Sequence, residues 1–172
     1  MTMIIRTEQP TDYKAVYYVV KNAFQTAEHS DGNEQDLVNA LRQSTAFIPE
    51  LTLVAEIGGA IVGHIMFTKL QIGKHTALAL APLSVLPKYQ KQGIGTSLIL
   101  EGHRIARKLG YSYSVVLGSE KYYPRMGYLP AEKFGIMPCF EVPSKNFMAY
   151  KLCDESPTIS GVVKYAKEFG IN

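Results

Sequence analysis

The sequence predicts an α/β (α+β) fold: a mixed, mostly antiparallel central sheet that contains one parallel strand pair and is flanked by helices. Two patterns carry this prediction. The β-rich runs Leu51 to Ile57 and Ala60 to Leu70 surround Gly58-Gly59, a hairpin signal. Further on, a strand run (Thr76 to Leu86), a glycine-containing loop (Gln90 to Thr96) and an amphipathic helix (Thr96 to Leu109) precede a second strand run, Tyr111 to Leu117. Strand–helix–strand connectivity within one sheet implies a parallel pair with a right-handed crossover.

The elements follow in order. Met3-Ile4-Ile5-Arg6 reads as a short first strand. Thr11-Asp12 starts a helix on which Tyr13, Val16, Tyr17, Val20 and Phe24 recur at helical spacing. His29 to Asn33 is a polar break. Glu34 to Arg42 is a second helix with Leu37, Val38 and Leu41 on one face, and Pro49 ends that region. After the hairpin, Ile72-Gly73-Lys74-His75 turns the chain into the strand that precedes the glycine loop. The helix beyond the loop turns Leu98, Gly102, Ile105 and Leu109 inward. Arg104, Arg107 and Lys108 occupy its last two turns, where cations suit the helix dipole, and Gly110 ends it. Gly118 to Arg125 predicts a short helix interrupted by Pro124, Asn146 to Leu152 a late strand, and Gly161 to Phe169 a final helix.

The composition of the 172 residues, 47% hydrophobic and 19% charged, predicts a compact globule, most simply one domain over 1–172. A net charge of +3, with no block of like charges and no basic stripe interleaved with aromatics, gives no reason to expect nucleic acid as a partner. Cys139 and Cys153 lack metal-ligand spacing, so two free thiols and no metal are expected. The N-terminus does not resemble a secretion signal, and no apolar run approaches membrane length. The expected location is the cytoplasm, away from membranes.

The stretch Gln90-Lys91-Gln92-Gly93-Ile94-Gly95-Thr96 has the most to say about function. Glycines that open a helix directly after a strand let several backbone N–H groups converge on one anion at the positive end of the dipole. A P-loop would need Lys after the last glycine, where this chain has Thr96-Ser97. A dinucleotide fold would need a third glycine and a later carboxylate, where this chain has Leu98 and the neutral run Ser114 to Gly118. Taken alone, the loop also fits a tight strand–helix turn with no ligand.

The loop has company. Leu83-Ser84-Val85 and Pro87 precede it, and Tyr122-Tyr123-Pro124-Arg125-Met126-Gly127-Tyr128 follows about thirty residues on. This combination resembles the GNAT acyl-CoA N-acyltransferase superfamily over most of the chain. Ala81-Pro82-Leu83-Ser84-Val85, Leu117-Gly118, Phe147-Met148-Ala149 and Gly161-Val162-Val163 are similar to a branch of bacterial N-acetyltransferases within it. The resemblance implies a sheet whose parallel pair splays apart, acetyl-CoA as acyl donor, and an amine as acceptor. Backbone N–H groups of Gln92, Gly93, Ile94, Gly95 and Thr96 would cradle the pyrophosphate, with Lys91 at the rim and Gln90 where many relatives carry Arg. Backbone groups of Leu83, Ser84 and Val85 would pair with the pantetheine arm, and the Val85 N–H would polarise the acyl carbonyl. At Pro82, which cannot donate a ladder hydrogen bond, the strand should be interrupted or bulged.

By the same resemblance Tyr123 matches the general acid for the departing thiolate, with Tyr122 its adjacent alternative. Ser119 stands where relatives often place a polar contact to the coenzyme. No base is legible. Glu28, His29, Glu56 and His64 each read more readily as surface or structural groups, so a water-relayed deprotonation is the simplest expectation. The acceptor, a small molecule or a peptide or protein amine, would sit between the first two helices, the hairpin and the C-terminal third. Monomer and homodimer are both open, as is a non-catalytic module that only binds acyl-CoA.

Overall fold

The computed structural model describes residues 2–25, 30 and 32–171. Among them run the strands β1 (Met3–Thr7), β2 (Phe47–Ile57), β3 (Ala60–Ile72), β4 (His75–Val85), β5 (Tyr113–Leu117), β6 (Leu129–Pro130), β7 (Ile136–Met137), β8 (Phe147–Lys151) and β9 (Gly161–Lys164). The helices are α1 (Tyr13–Phe24), α2 (Glu34–Arg42) and α3 (Ile94–Lys108). The sheet runs in the order β1-β2-β3-β4-β5-β8-β6, with β9 added to β3 and β7 added to β9. Neighbours along the main path are antiparallel except β4 and β5. The expected mixed, mostly antiparallel architecture with a parallel pair on its main path is therefore present, and β7 adds a second, two-residue parallel pairing with β9.

Local chemistry explains the elements. Gly58 and Gly59 both take positive φ (58° and 81°), the conformation a tight β2–β3 hairpin requires. Asp12 closes a capping box on the 3-10 turn Pro10–Asp12 that leads into α1, accepting the Gln9 N–H at 2.8 Å. It is anchored in turn by Arg6, which donates to both its oxygens and also to Glu56. α1 and α2 lie on one face of the sheet, where Val16, Val20, Val38 and Leu41 bury against Val54 and Met66. α3 covers the other face, over Leu53, Ile65, Phe67 and Leu78. Two glycines let it come close. A Cβ on Gly63 would stand 3.1 Å from Ile94, and one on Gly102 would stand 2.5 Å from the Phe67 ring.

Several expectations need correction. α3 begins at Ile94, and its buried face is Ile94, Leu98, Ile99, Gly102, His103 and Ala106, whereas Leu109 is 42% exposed. Pro49 lies inside β2 rather than ending a region. The helix expected over Gly118 to Arg125 contracts to a 3-10 turn at Tyr123–Met126. Gly161 to Phe169 is not a helix: it forms β9 and a separate 3-10 turn at Lys167–Phe169. Pairing partners distant in sequence decide this, since Lys164 and Val163 dock on Gln71 and Ile72 of β3. In β9 Val163 is buried and Val162 is 57% exposed, the alternation of a strand.

β4 carries the feature that creates the site. Ile65 of β3 faces Leu83, while Phe67 faces Leu80, so three residue steps on β4 oppose two on β3. The extra residue falls at Ala81-Pro82, as the missing N–H of Pro82 leads one to expect. β4 and β5 pair only through Leu78/Ser114 and Ala79/Val115. Beyond those two contacts they part. Each stays attached to its outer neighbour, β4 to β3 and β5 to β8, the latter through all five residues from Tyr113 to Leu117.

Candidate active site

The walls of the gap are strand edges with polar groups to spare. The Leu86 N–H donates to the Val62 carbonyl at 2.9 Å, continuing the register in which Ser84 faces His64. In an antiparallel ladder hydrogen-bonded pairs alternate, so Leu83 and Val85 direct their N–H and C=O groups away from β3 into the gap. The Val85 carbonyl is taken by the Gln90 side-chain amide at 2.9 Å. Its N–H, and both groups of Leu83, remain facing the gap.

The chain then turns through a 3-10 segment at Pro87–Tyr89 and two left-handed residues, Lys91 (φ 62°) and Gly93 (φ 84°), into α3. The first helical bond runs from the Ser97 N–H to the Gly93 carbonyl. The N–H groups of Ile94, Gly95 and Thr96 precede that ladder and open toward the helix end. No side chain caps them. Before them lies a cavity of about 680 Å³ lined by Leu83, Val85, Tyr89, Gln90, Lys91, Gly93, Ile94, Gly95, Thr96, Tyr122 and Arg125. Lys91 and Arg125 make it electropositive. Gly95 is where the backbone must be bare, because a Cβ there would meet the Tyr122 hydroxyl at 2.8 Å. That hydroxyl also lies 3.2 Å from the Thr96 Oγ1.

Tyr122 and Tyr123 point to different places. Their rings meet edge to face at 5.1 Å, and both N–H groups donate to the Ser119 carbonyl. Tyr123 packs against Gly118, where a Cβ would stand 2.4 Å from its ring. It lines a second cavity, of about 640 Å³, on the side of the gap facing α2. Leu83 is common to both cavities. Gly127, which closes the Tyr123 turn at φ 97°, abuts the Tyr150 ring. Burial, reinforced by Tyr122, raises the Tyr123 pKa above its ordinary 10, so the phenol stays protonated at neutral pH.

Nine of the residues expected from the sequence thus converge on one cavity, and Tyr123 faces its neighbour across Leu83. Three do not join them. Ser84 is buried with its backbone committed to β3. Gln92 donates to the Lys88 carbonyl, and Ser119 Oγ accepts the Lys121 N–H within its own turn. Among the base candidates, Glu56 is paired with Arg6 at 3.0 Å. His64 is fully buried 3.4 Å from Glu8, and desolvation lowers its pKa despite that carboxylate. Glu28 and His29 lie outside the described residues. Sequence reasoning missed Arg125 and Tyr89. Arg125 was in view, two residues past Tyr123 in the quoted motif, as a cation beside an anion-ready helix start.

This architecture is that of an acetyltransferase. Residues 14–128 match the acetyltransferase (GNAT) family, and the chain belongs to it. It is 34% identical over 141 residues to the Escherichia coli (strain K12) N-acetyltransferase YjhQ, itself uncharacterized, covering 77% of this chain and 78% of that one. Identity to the uncharacterized E. coli N-acetyltransferase YhbS is 26% over 170 residues, covering 97% and 98% of the two chains. Superposition on the crystal structure of E. coli YhbS in complex with CoA gives a TM-score of 0.88, covering 98% of this chain and 92% of that one. A GNAT family acetyltransferase from Brucella melitensis in complex with acetyl-CoA gives 0.81 at 33% identity, covering 98% of each chain. Cys139 and Cys153 form no disulfide. Among the described residues no cluster of three His, Cys, Asp or Glu is placed to hold a metal, and no helix is long and apolar enough to cross a membrane.

Proposed function

We propose that this acetyltransferase binds acetyl-CoA in the cavity at the start of α3 and transfers the acetyl group directly to an amine held in the cavity beneath α2. One observation carries the reading: the two cavities meet at Leu83, beside the unpaired edge of β4. The pyrophosphate would lie on the N–H groups of Ile94, Gly95 and Thr96, with Lys91 and Arg125 adding cationic contacts. The pantetheine amides would pair with Leu83 as an added strand would, and the Val85 N–H would polarise the thioester carbonyl. The CoA and acetyl-CoA bound by the two structural relatives support this placement.

The chemistry then follows. The acceptor ammonium loses one proton to water, and its lone pair attacks the thioester carbon. As the C–N bond forms, the C–S bond breaks and Tyr123 donates its phenolic proton to the sulfur. The nitrogen's second proton, relayed by water, restores Tyr123. The Tyr123→Phe variant should lower turnover by roughly a hundredfold or more, the usual range for a lost general acid. Its CoA affinity, measured by calorimetry, should barely change because Tyr123 faces the other cavity. Unchanged turnover would remove Tyr123 from the mechanism. CoA binding without thiol release on any amine would favour a non-catalytic binding module instead.

A further inference from the structure

The second cavity has a charge pattern that the chain as a whole does not. The protein is net positive, at +3. Yet among the described residues the cavity beneath α2 contains no Lys or Arg, while Glu34, Asp36 and Glu168 all line it. These carboxylates come from two separate segments, the first turn of α2 and the C-terminal 3-10 turn. None is neutralised: Glu34 accepts from the Ser30 hydroxyl, Asp36 from the Tyr17 hydroxyl at 3.4 Å, and Glu168 has no partner within the described chain. Asn33, Tyr123 and Tyr165 apart, the rest of the lining is apolar, Phe24, Leu37, Phe140 and Phe169 among it. At the inner end stands Tyr123, whose hydroxyl makes no hydrogen bond within the described chain. A volume of about 640 Å³ suits a small organic molecule.

Resting on the functional reading above, we infer that the acceptor is a small amine with an apolar or aromatic body and a second positive charge. The reacting amine would reach the gap at Leu83 and Tyr123. The apolar middle would lie on the phenylalanines, and the distal cation would meet Glu168, Glu34 and Asp36 at the mouth. Uncompensated charge of one sign in a concave, low-dielectric site concentrates ligands of the opposite sign and rejects those of the same sign. An acceptor carrying a carboxylate, such as a free amino acid, would be rejected for that reason.

Three para-substituted benzylamines test this: para-xylylenediamine, para-methylbenzylamine and para-(aminomethyl)benzoate, which carry two, one and no net positive charges at neutral pH. Calorimetry measures each against the CoA-saturated protein, and thiol release from acetyl-CoA measures turnover. The diamine should bind on the order of tenfold tighter than the monoamine at low salt, and the benzoate weakest, with kcat/KM in the same order. In a Glu168→Gln, Asp36→Asn double variant the advantage of the diamine should collapse through KM, while CoA affinity is retained. Equal binding of diamine and benzoate would overturn the inference, as would a diamine advantage that survives the double variant. So would acetylation of a lysine peptide by a protein that binds none of the three. Loss of CoA binding would instead count against the donor-site reading. The amines would then be compared on the free protein, where the same ranking is expected and its absence overturns the inference.

Discussion

Acidification should weaken the fold through His103, by an amount that the structure allows to be worked out. His103 projects from α3 into the core with 1% of its surface exposed. Its ring stacks on Tyr150 at 4.4 Å, and its Nε2 lies 3.0 Å from the Tyr128 hydroxyl. Burial, and secondarily the Arg107 cation, push its pKa down from 6.5 to about 4. In the unfolded chain the ring titrates near 6.5. Between those values the unfolded state binds more protons, so stability falls as pH drops through this window and is intact above it. Each pKa step corresponds to about 1.4 kcal/mol, which gives about 2 kcal/mol lost by pH 5 and about 3 kcal/mol by pH 4. For a chain of this size 2 kcal/mol lowers Tm by about 4–8 °C. Urea unfolding from pH 7.5 to 4 measures the slope. His103→Phe is the control, because its ring can keep the stack while Tyr128 keeps its 2.7 Å hydrogen bond to Ser114. Titration of His64, Glu8 and Asp12 is common to both proteins and cancels in the difference. If wild type and His103→Phe lose stability in parallel, the buried neutral imidazole is not the cause.

Other outcomes follow from the same contacts. Gly95→Val should weaken CoA binding at least tenfold in calorimetry, since its Cβ would press on the Tyr122 hydroxyl. Binding at wild-type strength would mean the helix start is not the anion site. Arg42→Met should cost about 3–5 kcal/mol in urea unfolding, because Glu8 would be left charged and buried without the guanidinium that now donates to both its oxygens. Adding Glu8→Gln to that variant should restore part of the loss. Gly102→Ala should destabilise by about 1–3 kcal/mol despite alanine's better helix propensity, for want of room beside Phe67. A stabilised Gly102→Ala protein would show that α3 can move off β3 freely.

Patterns local in sequence were legible. The hairpin announced itself through Gly58-Gly59, the crossover through a strand, a glycine loop and an amphipathic helix, and the bulge through Pro82. The cavity at α3 was legible for the same reason, because one loop and one strand supply most of its lining. The C-terminal third was not. Val162 and Val163 are compatible with a helix or a strand, and only docking on Gln71 and Ile72, some ninety residues earlier, decides between them. The second cavity was equally hidden. Its lining comes from α1, α2, β4, β5, the Tyr123 turn, the segment around Phe140 and residues 165–171, and no spacing rule links Glu34 to Glu168. Ser84 and Ser119 lie close in sequence to the cavity residues but do not line the cavity: the backbone of Ser84 is turned to β3, and the Ser119 hydroxyl accepts the Lys121 N–H within its own turn.

Unpaired strand edges usually threaten a β-protein, because each offers a template on which another molecule of the same chain can add a strand and begin an aggregate. The parting of β4 and β5 exposes two such edges in mid-sheet. They face each other, and each strand is anchored on its far side, so an invading protein strand would have to fit its side chains into a slot between two walls that the rest of the sheet holds in place. A slim chain of amides has no such difficulty. The geometry that admits a coenzyme arm is thus also a filter against self-association, and the opening can persist in the unliganded protein without becoming a site of misassembly.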